Sequence, residues 1–219
     1  MTKRAEAGEH TGETTVGLGE HRHIDVGVFE QIVWSEEYAR AWAPDLIMLA
    51  VGTSLVGPVL ISKGKAWQRE RFLEKILRGE EVWCQGFSEP DAGSDLANVR
   101  TRGEVQGDSI VVTGQKIWSS ASHFADWYHV LVRTDPEAPK HRGITYLAMR
   151  LRDEDGVYTP GVTLRPLYDM LGKRRWNEIF MDEVRVPKEN LIGEVNRGWY
   201  AAMTTLNFER TGIDGPARH

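Results

Sequence analysis

Apolar residues in the first part of the chain recur at helical spacing. Phe29, Ile32 and Val33 fall on one helical face, and a second apolar stripe runs through residues 67–77. Between them, residues 46–61 are apolar almost throughout, which indicates a buried helix interrupted at Gly57–Pro58. We expect Pro44 to break the first helix and Gly79 to end the last one, since glycine commonly terminates helices.

From about residue 81 the apolar positions form short runs and alternations that favour β-strands. Gln106-Gly107-Asp108 indicates a turn between two extended arms, the second closing at Gly114, and Pro187 ends the last strand. Helical spacing then returns at the end of the chain, with Trp199, Met203 and Leu206 on one face. The predicted strands are 82–87, 127–132, 143–149, 162–167 and 179–186, and the predicted helix is 198–210.

This order, helices before strands before one helix, predicts an α+β fold. It comprises a partial N-terminal helical domain, a mostly antiparallel β-barrel or sandwich, and a C-terminal helix. A Rossmann site for nicotinamide is not expected, because no Gly-x-Gly-x-x-Gly motif follows a strand. The predicted divisions are a polar, Gly-rich flexible lead-in (1–27), the partial helical domain (28–80), the β domain (81–194) and the start of a truncated helical domain (195–219).

Composition narrows the possible functions. The 219 residues are 41% hydrophobic and carry a net charge of −5, so we expect no nucleic-acid partner, which would require clustered Lys and Arg. With one cysteine, Cys84, and seven histidines scattered along the sequence, we predict no metal site. The longest apolar run is too short for a membrane span and the N-terminus lacks a secretory signal, so we predict a cytoplasmic protein.

The segment from Gly86 to Asp95 reads Gly-Phe-Ser-Glu-Pro-Asp-Ala-Gly-Ser-Asp and follows a predicted strand. Pro90 favours extended backbone at the residue before it, and Gly93 permits conformations that are closed to other residues. Backbone N–H groups beside Gly93 could approach an anion closely. From chemistry alone, an ordinary Asp/Gly/Ser surface turn is the favoured interpretation of this segment.

A second segment runs from Val112 through Gly114-Gln115-Lys116-Ile117-Trp118 to Ser119 and Ser120. An indole can stack beside a flat aromatic ligand, and hydroxyl groups next to it can donate hydrogen bonds to the ligand's edge. The alternative is that Trp118 belongs to the core, as most of the eight tryptophans must.

Together these segments resemble the signature of the acyl-CoA dehydrogenases, in which a Ser/Thr-Glu-Pro-x-x-Gly-Ser-Asp loop and a Gly-Gln-Lys-x-Trp strand contact a flavin. Phe87 and Asn98 depart from the usual pattern, where smaller residues stand. The segment from Glu178 to Pro187 and Asn190-Leu191-Ile192-Gly193 are similar to the family as well. The resemblance runs from about Val28 to about Arg210 and covers a little over half of a family member, so we expect a truncated one.

The resemblance implies FAD as the cofactor and α,β-dehydrogenation of an acyl-CoA thioester, with electrons passing to an electron-transfer flavoprotein. Arg210 would bind the substrate. Ser94 would lie near either the acyl-CoA substrate or the flavin pyrophosphate. The residues implied to contact FAD are Gln85, Phe87, Ser88, Ser94, Trp118 and Ser120.

The catalytic base is implied by Leu206-Asn207-Phe208-Glu209-Arg210, which resembles the first helix of the family's C-terminal domain. In the isovaleryl and long-chain branches the base lies on this helix directly before an Arg, and Glu209 occupies that position. Glu209 and Arg210 could equally be a solvated pair at a helix end.

Three functions therefore remain open from the sequence. The chain could be a dehydrogenase that acts as a homo-oligomer or with a complementing chain. It could be an inactive remnant of a split gene. It could also be a relative with the same fold and different flavin chemistry, such as an oxidase or monooxygenase.

Overall fold

The computed structural model describes residues 27–43 and 47–211. Most of the predicted lead-in, the predicted helix break at Pro44 and the tail after residue 211 lie outside the described residues. Helix α1 spans Val28–Arg40 and is followed by α2 (Ile47–Ala50), α3 (Gly57–Lys63), α4 (Ala66–Arg78) and, at the far end of the described chain, α5 (Gly198–Thr211).

The predicted interruption of the second helix takes the form of a π-helical segment. Residues Val51–Val56 connect α2 to α3, and the N–H of Gly57 donates to the carbonyl of Gly52, five residues back. Pro58 follows directly and has no N–H for the next helical hydrogen bond, so the wider turn is placed just before it. Val56, Val59 and Leu60 are fully buried, which confirms that this stretch is a core helix.

Helix α4 ends where the sequence predicts and is fastened to the sheet at its start. Gly79 follows its last residue with φ of 68°, the left-handed conformation that favours glycine. At the other end, the side-chain oxygen of Gln68 accepts from the N–H of Lys65 at 2.9 Å. The same amide donates to the carbonyls of Glu189 and Leu191, so α4 is bonded to the chain that leaves the last strand.

Seven strands form one curled sheet that is mostly antiparallel, which confirms the predicted fold class. The sheet runs β1–β4–β2–β3–β7–β6, with β5 paired along the other edge of β4. Among the described strands, β1 and one residue of β2 pair in parallel, both with β4. The strands are β1 (Trp83–Gly86), β2 (Arg102–Gln106), β3 (Ser109–Ser120), β4 (Trp127–Arg133), β5 (Ile144–Arg150), β6 (Val162–Tyr168) and β7 (Arg174–Pro187).

Strand β3 does not end at Gly114, so that prediction was wrong. The strand continues to Ser120, and Gly114 lies at a register shift against β7. A side chain at Gly114 would collide with the backbone of Thr101, so glycine is needed there for close approach and not for termination. A second shift follows between Lys116 and Ser119, where β3 carries one residue more than β7.

Buried side chains form two clusters on the two faces of the sheet. One lies between the sheet and the helices and includes Phe72, Trp83, Trp127 and Tyr146. The other fills the interior of the curl, with Tyr128 among aliphatic residues of β3, β4, β5 and β7. The first cluster is shared between the helices and the sheet, and the second is formed by the sheet and the loops that follow its strands.

Helix α5 packs through smaller residues than predicted. Ala201, Ala202 and Thr205 are buried, whereas Trp199, Met203 and Leu206 are only half-buried. Gly198 explains the difference, because a Cβ there would collide with the backbone of Thr145 and Tyr146. The start of α5 therefore lies directly against β5, and only small side chains fit between them.

Candidate functional site

The loop that leaves β1 folds into a tight turn. The N–H of Glu89 donates to the carbonyl of Ala92 at 2.9 Å, and the N–H of Ala92 donates back to the carbonyl of Glu89 at 3.1 Å. Ala92 is buried, while Gly93 and Ser94 are exposed beyond it. No atom lies within 4 Å of the position a Cβ on Gly93 would take, so the space above this turn is open to a ligand.

The second shift of β3 turns Trp118 out of the sheet. Trp118 has φ of 61°, which is unusual for a residue with a large side chain, and its indole is 57% exposed. The indole meets Trp176 of β7 edge to face, with ring centroids 5.7 Å apart. The next residue, Ser119, points inward and its hydroxyl lies 2.9 Å from the hydroxyl of Tyr128.

The two segments are bonded to each other. The N–H of Ile117 donates to the carbonyl of Ser88 at 3.0 Å, so the residue beside Trp118 is attached to the loop after β1. The sequence singled out these segments separately, and the fold places Ser88 next to the strand that presents Trp118.

Below this contact lies a buried ion pair. The Lys116 ammonium is 2.8 Å from a Glu89 carboxylate oxygen and donates to the carbonyl of Phe87 at 3.1 Å. Burial lowers the pKa of Lys116 from 10.5 to about 8, and the Glu89 carboxylate opposes that shift. Burial acts to raise the pKa of Glu89, but Lys116 and the groups of Thr101 and Arg100 outweigh it and hold that pKa below its ordinary value.

The implied flavin contacts differ in how they can reach a ligand. Phe87 is 4% exposed and its ring packs edge to face on His129 and Tyr146, so its side chain belongs to the core. Gln85 is half-buried on β1, opposite His129. Ser120 is half-buried at the end of β3, opposite Trp176, and is therefore two residues from Trp118 on the same strand end.

Glu209 and Arg210 lie exposed on the last turn of α5. One turn earlier, the Thr205 hydroxyl is 3.1 Å from the hydroxyl of Tyr146. The ring of Tyr146 in turn packs on the ring of Phe87. Helix α5 is thus docked on the same buried cluster as the residue before Ser88. Both interpretations of Glu209, a base or one of a solvated pair, agree with this placement.

Sequence reasoning assigned no role to Glu89 or Lys116, although both lie within the motifs it used. A signal was present in the alternation of β3, because Ile110, Val112 and Lys116 fall on alternate positions of one strand and are all buried. A lysine on the inward face of a strand requires a buried partner.

Two negative findings apply to the described part of the chain. No group of three or more His, Cys, Asp or Glu side chains within residues 27–43 and 47–211 is placed to hold a metal ion. None of the helices in those ranges is long and apolar enough to cross a membrane.

Comparison with protein families gives two adjacent matches. Residues 15–80 match the acyl-CoA dehydrogenase N-terminal domain. Residues 84–184 match the acyl-CoA dehydrogenase middle domain. The second match spans β1, the bulged part of β3 and most of β7.

Individual proteins agree with these matches. The chain is 42% identical to acyl-CoA dehydrogenase IpdE1 of Mycobacterium tuberculosis over 191 residues, which are 87% of this chain and 48% of that protein. A solved structure described as Tcur3481-Tcur3483 steroid ACAD superposes with a TM-score of 0.73 at 37% identity, covering 83% of this chain and 44% of that one. The ChsE4-ChsE5 complex from Mycobacterium tuberculosis gives a TM-score of 0.70 at 36% identity, with coverage of 82% and 44%. The chain spans about half the length of the relatives it matches.

Proposed function

Since this chain belongs to the acyl-CoA dehydrogenase family, we propose that it carries the flavin-facing half of an enzyme that introduces an α,β double bond into an acyl-CoA thioester. One observation supports this most directly. The hydrogen bond from Ile117 to Ser88 joins the Ser-Glu-Pro loop to the strand that presents an exposed indole.

The residues present fit FAD. Trp118 offers an exposed flat surface, and its positive φ is energetically unfavourable for a bulky residue. Such backbone strain is commonly found at ligand-binding sites. Ser120 and the backbone at Ser88 would meet the edge of the ring system, and Ser94 in the open turn would lie toward the phosphates. Phe87 would contribute its backbone only, since its ring is buried. When bound, FAD supplies the acceptor for the hydrogen that leaves the β carbon with its electron pair.

Glu209 is the proposed base. Its carboxylate would accept the α proton, and the C=C bond forms as the α and β C–H bonds break. An α proton of a thioester is weakly acidic, so hydrogen-bond donors at the carbonyl oxygen must stabilise the developing charge. Arg210, adjacent on the exposed end of α5, would help hold the acyl-CoA.

The acyl group and the partners are proposed from the relatives. Similarity to a steroid ACAD makes a steroid-derived acyl-CoA the first substrate to test. Two of the matched structures pair differently named chains, which supports a complementing chain, with a homo-oligomer as the other arrangement. An electron-transfer flavoprotein is the proposed acceptor, and the cytoplasm stays the predicted location.

Purification of the full-length chain, alone and with a candidate complementing chain, tests the proposal. We expect a yellow protein that reduces an electron-transfer flavoprotein when acyl-CoA is added. Peroxide release under oxygen would indicate an oxidase or monooxygenase instead. A colourless protein that binds no added FAD in either preparation would contradict the proposal and indicate an inactive remnant.

The W118A variant tests the site within the same preparations. We expect its FAD dissociation constant to rise by roughly 5- to 150-fold, because base-like aromatic stacking contributes on the order of 1–3 kcal/mol. W42A is the matched control, since Trp42 is also exposed and also has positive φ but lies just after helix α1, outside the β sheet. Equal FAD binding by W118A and W42A would remove Trp118 from the site.

A further inference from the structure

The pair formed by Glu89 and Lys116 holds together three separate segments of the chain. One carboxylate oxygen of Glu89 accepts from the N–H of Arg100 at 2.7 Å, and the other from the N–H of Thr101 at 2.8 Å. Lys116 adds the bond to the carbonyl of Phe87. The loop after β1, the approach to β2 and the middle of β3 are therefore all bonded to one buried ion pair.

The attraction between the two charges does not by itself explain their burial at this position. Lys116 is fully buried and Glu89 nearly so, and removing both ions from water carries a penalty that their attraction roughly offsets. Apolar residues of similar volume would avoid that penalty but would leave the N–H groups of Arg100 and Thr101 and the carbonyl of Phe87 without partners. The geometry fixed by charged, directional hydrogen bonds is what apolar residues would not reproduce.

The ion pair fixes the positions of residues that follow or flank it on two segments. Phe87 and Glu89 flank Ser88, so both neighbours of Ser88 are bonded to Lys116. On β3, Lys116 precedes Ile117, which bonds to Ser88, and Trp118, which turns outward. Small movements of the ion pair would therefore displace Ser88 and Trp118 relative to each other.

We propose that Glu89 and Lys116 are positioning residues for the flavin: they touch no ligand and set the spacing between the Ser88 loop and the Trp118 bulge. This inference rests on the proposed function, because it assumes that these two surface elements receive FAD. Arg133 is the other charged group facing the pair, and it is held by the carbonyls of Val99 and Ala97.

The test uses the full-length protein in its FAD-binding preparation. The double variant E89Q/K116M removes both charges without leaving either one buried alone. We expect a lower urea midpoint than in the wild-type protein, because a glutamine amide can accept from only one of the N–H groups of Arg100 and Thr101, but a protein that still folds in buffer. We expect the folded variant to bind FAD about tenfold more weakly, because a displaced indole loses part of its stacking on the ring. Its bound FAD should also give an altered visible circular dichroism spectrum.

Two further variants control the result. E89D keeps both charges and shortens the side chain by one methylene, so it should fold and weaken FAD binding by a smaller factor even if the double variant does not fold. E104Q makes the same carboxylate-to-amide change in the exposed pair of Glu104 with Arg102 and should leave FAD affinity unchanged. In the apo form, the amides of Arg100, Thr101 and Ile117 should exchange faster in E89D than in E104Q.

The outcomes separate this inference from the function on which it rests. If the wild-type protein binds FAD and both E89D and the folded double variant bind it within twofold, with unchanged spectra, the positioning role is overturned and the proposed function stands. If the wild-type protein binds no FAD, the proposed function fails and the positioning role fails with it.

Discussion

At the scale of single residues, the chain places a lysine where strand alternation calls for an apolar side chain. Lys116 is fully buried and its pKa is lowered to about 8 from 10.5, chiefly because burial disfavours the charged ammonium. The folded protein therefore releases this proton at a lower pH than the unfolded chain does. The contribution of Lys116 to the free energy of unfolding is therefore smallest below about pH 8 and rises as the pH increases toward 10.5.

This sign can be measured by comparing the wild-type protein with K116M. Between pH 8 and 10.5, we expect the wild-type free energy of unfolding to rise relative to that of K116M, by on the order of 1–3 kcal/mol. Urea unfolding at several pH values gives both curves, and other titrating groups cancel in the difference. A difference that is flat or falls over this range would show that Lys116 does not titrate as its burial requires.

Gly86 makes a second prediction at this scale. A Cβ on Gly86 would overlap the ring of Tyr128, which is fully buried and bonded to Ser119 below the bulge. We expect G86A to lower the free energy of unfolding by about 1–3 kcal/mol or more, because the core cannot yield without moving that ring. G93A is the control, since nothing lies near its Cβ, and equal unfolding midpoints for the two variants would show that the contact is absent.

At the scale of elements, α5 is held by two buried side-chain hydrogen bonds as well as by packing. The Tyr146 hydroxyl lies 2.7 Å from Nδ1 of His129 and 3.1 Å from the hydroxyl of Thr205. Burial lowers the pKa of His129 to about 3, so the imidazole is neutral near pH 7. These two hydrogen bonds connect β4, β5 and α5, and α5 carries Glu209.

The Y146F variant tests this connection. It leaves Thr205 and His129 without their shared partner, and we expect a loss of about 1–3 kcal/mol in the free energy of unfolding. Faster amide exchange should be concentrated in α5. Y158F, at a partly exposed tyrosine, is the control. If α5 amides in Y146F exchange as slowly as those in Y158F, the hydroxyl does not anchor the helix.

Elements also show what the sequence can and cannot predict. Helix α4 and its end at Gly79 follow from apolar spacing and one glycine, which are local signals. The length of β3 was mispredicted because Gly114 reads as a terminator. Its role is to allow close approach of Thr101, which directly precedes the neighbouring strand β2 and is not local to Gly114 in the sequence. The buried face of α5 was predicted from large side chains, but contact with the backbone of β5 selects small ones.

The candidate site divides in the same way. Ser88 and Trp118 were found from motifs, because their residue types carry the chemistry. The pairing of Glu89 with Lys116 joins positions 27 residues apart, and no local pattern specifies which carboxylate a buried lysine will meet. Tyr128 was missed for the same reason, since its hydroxyl is relevant only once Ser119 is placed against it.

At the scale of the whole molecule, α1 presents apolar side chains that the described residues leave uncovered. Phe29 is 82% exposed, and Ile32, Val33 and Trp34 are exposed beside it. Exposed apolar patches on soluble proteins commonly mark sites of association. This agrees with a chain that spans about half the length of its relatives and with the predicted oligomer or complementing chain.

The F29E/V33E variant tests that interpretation, because these two residues lie one helical turn apart. We expect the wild-type full-length chain to sediment above its monomer mass of 24.8 kDa when alone, and the variant to shift toward the monomer. K63E, at an exposed residue of α3, makes the same net change in charge away from α1 and is the control. A wild-type chain that sediments as a monomer at every concentration would show that α1 makes no such contact.

In the proposed function, the loop after β1 and the bulge of β3 together hold an isoalloxazine ring. The most direct measurement is an experimental structure of the full-length protein with FAD. We predict the ring in van der Waals contact with the indole of Trp118, with Ser88 and Ser120 at its edge and the Glu89–Lys116 pair intact below. A flavin bound elsewhere on the protein, with Trp118 left in solvent, would contradict the account.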